Sequence, residues 1–174
     1  MELSLKAGRI CLRRPDLKNL APEFFGAALR ADPDNLEAFV VLEEDLLEGG
    51  RYARLASLYE EIAGAASSNG RRATLLRKAA EVTGERLGDR AKAAELLAAA
   101  LKIEPDNEAD WLDYIGHCEA VNDLAGAVEG YRRLLEMGVD AQRAEQLRGR
   151  IADALNDIVA ASRGRAKVLL ETTA

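Results

Sequence analysis

The sequence predicts an all-α protein made of stacked antiparallel helical hairpins. Composition is the first reason: Ala (32) and Leu (26) supply a third of the 174 residues, against eight aromatic residues and four prolines. Ala and Leu are the strongest helix formers, whereas aromatic and β-branched side chains favour strands. An internal repeat is the second reason. AALRADPDN at 27–35 and AALKIEPDN at 99–107 agree at six of nine positions and lie 72 residues apart. Six residues after each proline stands an aromatic, Phe39 or Trp111. Turn signals at Gly49-Gly50, Gly88-Asp89 and Asn122-Asp123 are spaced by 38 and 34 residues, which gives a 34-residue period with one four-residue insertion.

The elements follow in order along five units, 2–35, 36–69, 74–107, 108–141 and 142–174, with 70–73 as an inserted loop. In the first unit Pro22 would disrupt a helix interior, so the second helix starts near it and Pro15-Asp16 falls in the preceding loop. Pro33 and Pro105 end helices, and Asp34-Asn35 and Asp106-Asn107 cap the next ones; Asp34-x-x-Glu37 has capping-box spacing. The insertion falls in the small, polar stretch Gly64–Gly70. The fourth unit shows the pattern most clearly. Trp111, Tyr114, Ile115 and Cys118 form one helical stripe, Asn122-Asp123 breaks it, and Leu124, Ala127, Val128, Tyr131, Leu134 and Leu135 form a second that Gly138 ends. One such hairpin cannot bury both apolar faces, so neighbours must stack.

This pattern resembles the tetratricopeptide repeat. Phe39, Leu42, Leu46, Gly50, Tyr52 and Tyr59 match it in the second unit, Gly88-Asp89, Ala93, Ala100 and Pro105 in the third, and Trp111, Asp123, Ala127 and Tyr131 in the fourth. In the first unit Phe25, Ala28, Leu29 and Pro33 match, and in the last Ala152, Ala161 and Val168. The resemblance implies a right-handed superhelix of about ten helices, with the first helix of each hairpin lining a concave groove. Carried over by position, the groove holds Lys6, Ile10, Val40, Glu44, Leu47, Leu75, Lys78, Val82 and Leu112. Members that grip a C-terminal carboxylate use a Lys, Asn and Arg clamp. Here Lys6 and Lys78 stand at Lys places, but Ile10 and Glu44 replace Asn and Val82 replaces Arg, so the clamp is broken. What remains is an apolar strip flanked by charge, suited to an apolar or amphipathic segment of another protein.

Catalytic parts are few. His117 is the sole histidine and reads as an ordinary helix residue; Ser4, Ser57, Ser67, Ser68 and Ser162 carry no nucleophile-elbow motif. Cys11 and Cys118 lie too far apart for zinc-type spacing and read as free, semi-buried thiols. No phosphate-cradling loop is present, because Gly49-Gly50 leads into Arg51-Tyr52. Neither catalytic residues nor a cofactor or metal site is expected. Thirty acidic residues against 24 basic ones argue against a nucleic-acid partner. The longest apolar run, Leu96–Leu101, is too short to enter a membrane, and the N-terminus carries no signal-peptide pattern, so a cytoplasmic place is expected. Charge alternates along the chain: −5 over 36–63, +4 over 71–102, −8 over 104–129 and +2 over 130–174. The expected function is a protein–protein interaction scaffold that binds a peptide or helical segment. The alternative is a structural spacer in a larger bacterial multi-protein machine. The apolar residues kept within Ala166–Ala174 add an expectation of self-association through uncapped array ends.

Overall fold

In the computed structural model the chain is described for residues 2–172, with side chains described for 2–163. Val168 and the Ala166–Ala174 run invoked above therefore lie outside the described side chains. The described residues form helices and turns with no strand. The chain divides at Gly88/Asp89 into two compact units.

The first unit comprises α1 (Glu2–Arg13), a 3-10 turn (Lys18–Leu20), α2 (Ala21–Ala31), α3 (Leu36–Glu48), α4 (Tyr52–Ala65) and α5 (Asn69–Glu81), which runs into a π turn (Val82–Arg86). Pro22 sits in the first turn of α2, where its missing N–H is not needed. Phe25 of α2 is fully buried and packs against Gly8 of α1, where a Cβ would come within 2.8 Å of its ring. Asn35 caps α3 by accepting from the Ala38 N–H at 3.0 Å. The capping box expected at Asp34 and Glu37 does not form, because both carboxylates are drawn into contacts between elements. Glu37 takes a bidentate fork from Arg9 of α1, with Nε donating at 2.6 Å, which holds its carboxyl below the usual range. Asp34 accepts from the Ser67 N–H at 3.4 Å and faces Arg71.

Residues 70–73 are helical rather than an inserted loop. Ser68 caps α5 by accepting from the Arg71 N–H at 3.2 Å, so the helix starts before the insertion. Arg72 then donates to the carbonyls of Ala63 and Ala66, and Arg71 to that of Pro33, so the extra turn is bound to the preceding segments. α5 has 13 residues, the length of α3, and the extra residues continue it as the five-residue π turn.

The second unit comprises α6 (Arg90–Leu101), α7 (Glu108–Ala120), α8 (Leu124–Glu136) and α9 (Ala141–Thr172). Asp89, Asn107, Asp123 and Asp140 each accept from the backbone N–H three residues on, at 2.9–3.2 Å. Trp111, Ile115, Cys118, Ala127, Tyr131 and Leu134 form the core with Leu147 of α9, as the two stripes of the fourth unit predict. His117 is buried, with Arg90 Nη1 at 3.4 Å from its Nδ1. Cys11 and Cys118 are both free and buried.

The turn signals do what the period requires. Gly50 (φ 62), Gly88 (φ 74) and Asn122 (φ 58) all take the left-handed conformation that ends a helix. After Gly50 and Asn122 the same wrap-around bond closes the turn, Arg51 N–H to Leu46 O at 2.9 Å and Asp123 N–H to Cys118 O at 2.8 Å. The fifth hairpin is the exception. Asn156-Asp157 repeats Asn122-Asp123 at the 34-residue spacing, yet α9 runs through it as one 32-residue helix. A second helix is worth the loop only if it has an apolar face to bury. Continuing the helix keeps the backbone bonds that a turn at Asn156 would give up.

Candidate partner-binding groove

The first unit carries a cavity of about 320 Å³ between α3, α4 and the α5–π segment. α3 brings Glu43 and Leu47, α4 brings Tyr52 and Tyr59, and the α5–π segment brings Lys78, Glu81, Val82, Glu85 and Arg86. Helical spacing explains the set: Glu43 and Leu47 are one turn apart, as are Lys78 and Val82. The π turn widens the helix where it passes α4, a device common where a helix must present side chains out of regular register.

The wall is a small polar cluster on an aromatic base. The Tyr59 hydroxyl donates to Glu43 Oε1 at 2.6 Å, and Lys78 Nζ meets the same oxygen at 2.6 Å. Lys78 Nζ also stands 5.6 Å from the ring centres of both Phe39 and Tyr59, which themselves lie 6.0 Å apart. Burial first, and then the Glu43 carboxylate, push the Tyr59 hydroxyl well above its ordinary pKa. At the other side, the Arg86 guanidinium lies 5.5 Å above the Tyr52 ring. Glu43 is the inward anchor, with its side chain 15% exposed against 41% for Lys78. A cycle of Glu43→Gln, Lys78→Met and the double variant gives a coupling of about 0.5–1 kcal/mol, read by chemical denaturation. A coupling near zero removes this pair from the wall.

Of the nine residues carried over by position, the cavity gathers Leu47, Lys78 and Val82. Leu75 is 3% exposed and belongs to the core instead. Val82 is 9% exposed, so it forms the cavity's floor rather than a projecting surface. Glu44 points the other way and lines a separate cavity with Leu12, Lys18 and Pro22. Val40 and Ile10 are exposed, at 44% and 58%, and line neither of these cavities. Lys6 is paired with Glu2 within α1. Leu112, 46% exposed, lies in the second unit. Six residues that line the cavity fall outside those nine: Glu43, Tyr52, Tyr59, Glu81, Glu85 and Arg86. The signal for Glu43 was a carboxylate directly beside Leu42, at the position where the resembled repeat carries a small residue.

A second cavity of the first unit, about 590 Å³, lies between α2 and α4. Its floor is Leu29, Leu46, Leu58 and Ile62, and its rim charges are largely mutually paired, Arg51 with Asp45 and Arg54 with Glu61. Sequence reasoning had no signal for it, since these residues read as helix core.

No protein-family model matches the chain, and no curated protein matches it. Solved structures do. The Pseudomonas aeruginosa pilF structure aligns with TM-score 0.51 at 18% identity, over 92% of this chain and 71% of that one. The crystal structure of the MamA protein aligns with TM-score 0.52 at 13% identity, over 90% of this chain and 88% of that one. Both are tetratricopeptide-repeat proteins. The fold is of the tetratricopeptide-repeat type. Among the described residues no cluster of three or more His, Cys, Asp or Glu could hold a metal ion, and no helix is long and apolar enough to cross a membrane.

Proposed function

We propose that the chain is a protein–protein interaction scaffold, without catalysis of its own, and that its first unit holds a segment of a partner in the groove between α3 and α5. The observation that carries this reading is Leu47. It is a large apolar side chain, 46% exposed, at the mouth of a cavity floored by Val82 and walled by aromatic rings and charges. An apolar side chain in that setting is poorly used by the free protein and well used by a partner that covers it. The tetratricopeptide-type fold supports the reading, because its first helices offer a surface to a bound segment.

The test separates binding from folding. Leu47→Ser removes apolar contact from an exposed site and leaves the melting temperature within about 2 °C of the parent. Partner capture from a cell extract of the source organism falls by about tenfold or more if Leu47 is an anchor. Equal capture by parent and variant rejects the groove as the binding surface.

A further inference from the structure

We propose that the occupant of this groove is a basic segment. A Lys or Arg side chain of the partner enters the cavity, its carbon stem along Leu47 and Val82 and its head group at Glu43, Glu81 and Glu85. This rests on the groove reading above and adds the chemistry of what binds there.

Four observations support the occupant. Tyr59 and Lys78 both bond Glu43 Oε1, which leaves Oε2 without a hydrogen bond among the described residues although the carboxylate lines the cavity. Glu81 and Glu85 are exposed at the cavity and have no ion pair among the described residues. Against these three carboxylates stand two cations, of which Lys78 is already held by Glu43 and Arg86 is laid over Tyr52. Beyond the mouth, α3 carries no base over Leu36–Glu48. The field at the groove is therefore negative, and an acidic segment would be repelled. A long basic side chain suits both parts of the site, because its stem covers apolar surface while its head seeks carboxylates. The volume, about 320 Å³, is at the small end for a binding pocket and admits one long side chain rather than a helix.

The experiment is fluorescence anisotropy at low salt with two labelled peptides, one with Lys and Leu at helical spacing and one with Glu in place of Lys. The Lys peptide binds the parent. Glu81→Gln with Glu85→Gln weakens it about fivefold, as loss of two exposed ion pairs would. Asp153→Asn with Asp157→Asn, the same charge change at exposed positions of the second unit, leaves it unchanged. Equal weakening by both double variants means general attraction to an acidic protein and overturns the proposal. Preference for the Glu peptide, with sensitivity to Leu47→Ser, overturns the basic occupant while the groove reading stands. Binding insensitive to Leu47→Ser, or no binding of either peptide, overturns the proposal, and the capture test above then decides the groove reading by itself.

Discussion

Trp111→Ala lowers stability by about 3–5 kcal/mol. The indole is 8% exposed in the core of the second unit, packed with Ile115, Tyr131 and Leu134. Its ring meets Tyr114 edge-on, with centroids 5.7 Å apart, and its Nε1–H donates to the Pro105 carbonyl at 2.8 Å. Truncation therefore removes apolar burial, leaves a void, and frees a carbonyl at the turn that joins α6 to α7. Trp111→Phe isolates the last contribution and costs less, about 1–2 kcal/mol for the lost hydrogen bond and the smaller ring. Trp111 is the chain's one tryptophan, so denaturation is followed by helical circular dichroism. Amide exchange in α7 and α8 should rise first. An Ala variant as stable as the parent would show that Trp111 does not organise this core.

Phe25→Ala has a cost of the same order, about 3–5 kcal/mol, in the first unit. The ring is fully buried and faces Gly8, and a Cβ built there would stand 2.8 Å from Phe25 Cε2. That contact makes a sharper test than the truncation alone. Gly8→Ala in the parent costs about 1–2 kcal/mol, because the overlap outweighs the gain in helix propensity. In the Phe25→Ala background the same change is stabilising by about 0.5–1 kcal/mol, since the clash is gone and the propensity gain remains. The sign of Gly8→Ala should thus reverse with the residue at 25. A Gly8→Ala effect independent of position 25 would place the two helices farther apart than they stand.

The period was legible because its marks are local. A left-handed backbone needs Gly or Asn, and Gly50, Gly88 and Asn122 supply it at three turns. A cap needs a short side chain three residues before a free N–H, and Asn35 and Asn107 announce two of them. Trp111, Tyr131 and Cys118 fall on helical stripes, and a stripe of that spacing has to be buried. Which helix faces line a cavity was only partly legible. Of the residues placed by position, Leu47, Lys78 and Val82 line one cavity, whereas Leu75 is core, Glu44 lines another cavity, and its neighbour Glu43 takes the inward place. These are adjacent or one turn off, and a helix must turn only part of a revolution to exchange which of them faces a neighbour.

The sequence by itself determined the helical class, the hairpin turns, the main caps and the aromatic centre of the second unit. Each follows from φ preference, capping or helical period within about a dozen residues. Tertiary structure alone decided four other features. Residues 70–73 became helix because Arg71 and Arg72 reach carbonyls of other segments. Asp34 and Glu37 left the capping box because Arg71 and Arg9 come from other helices to meet them. α9 runs through a dipeptide that turns the chain at Asn122. Glu43 turned inward because Tyr59, 16 residues on, and Lys78, 35 residues on, both converge on one of its oxygens. For residues 70–73, Asp34, Glu37 and Glu43 the deciding partners lie on other segments, so only the packed chain could settle which local preference prevailed.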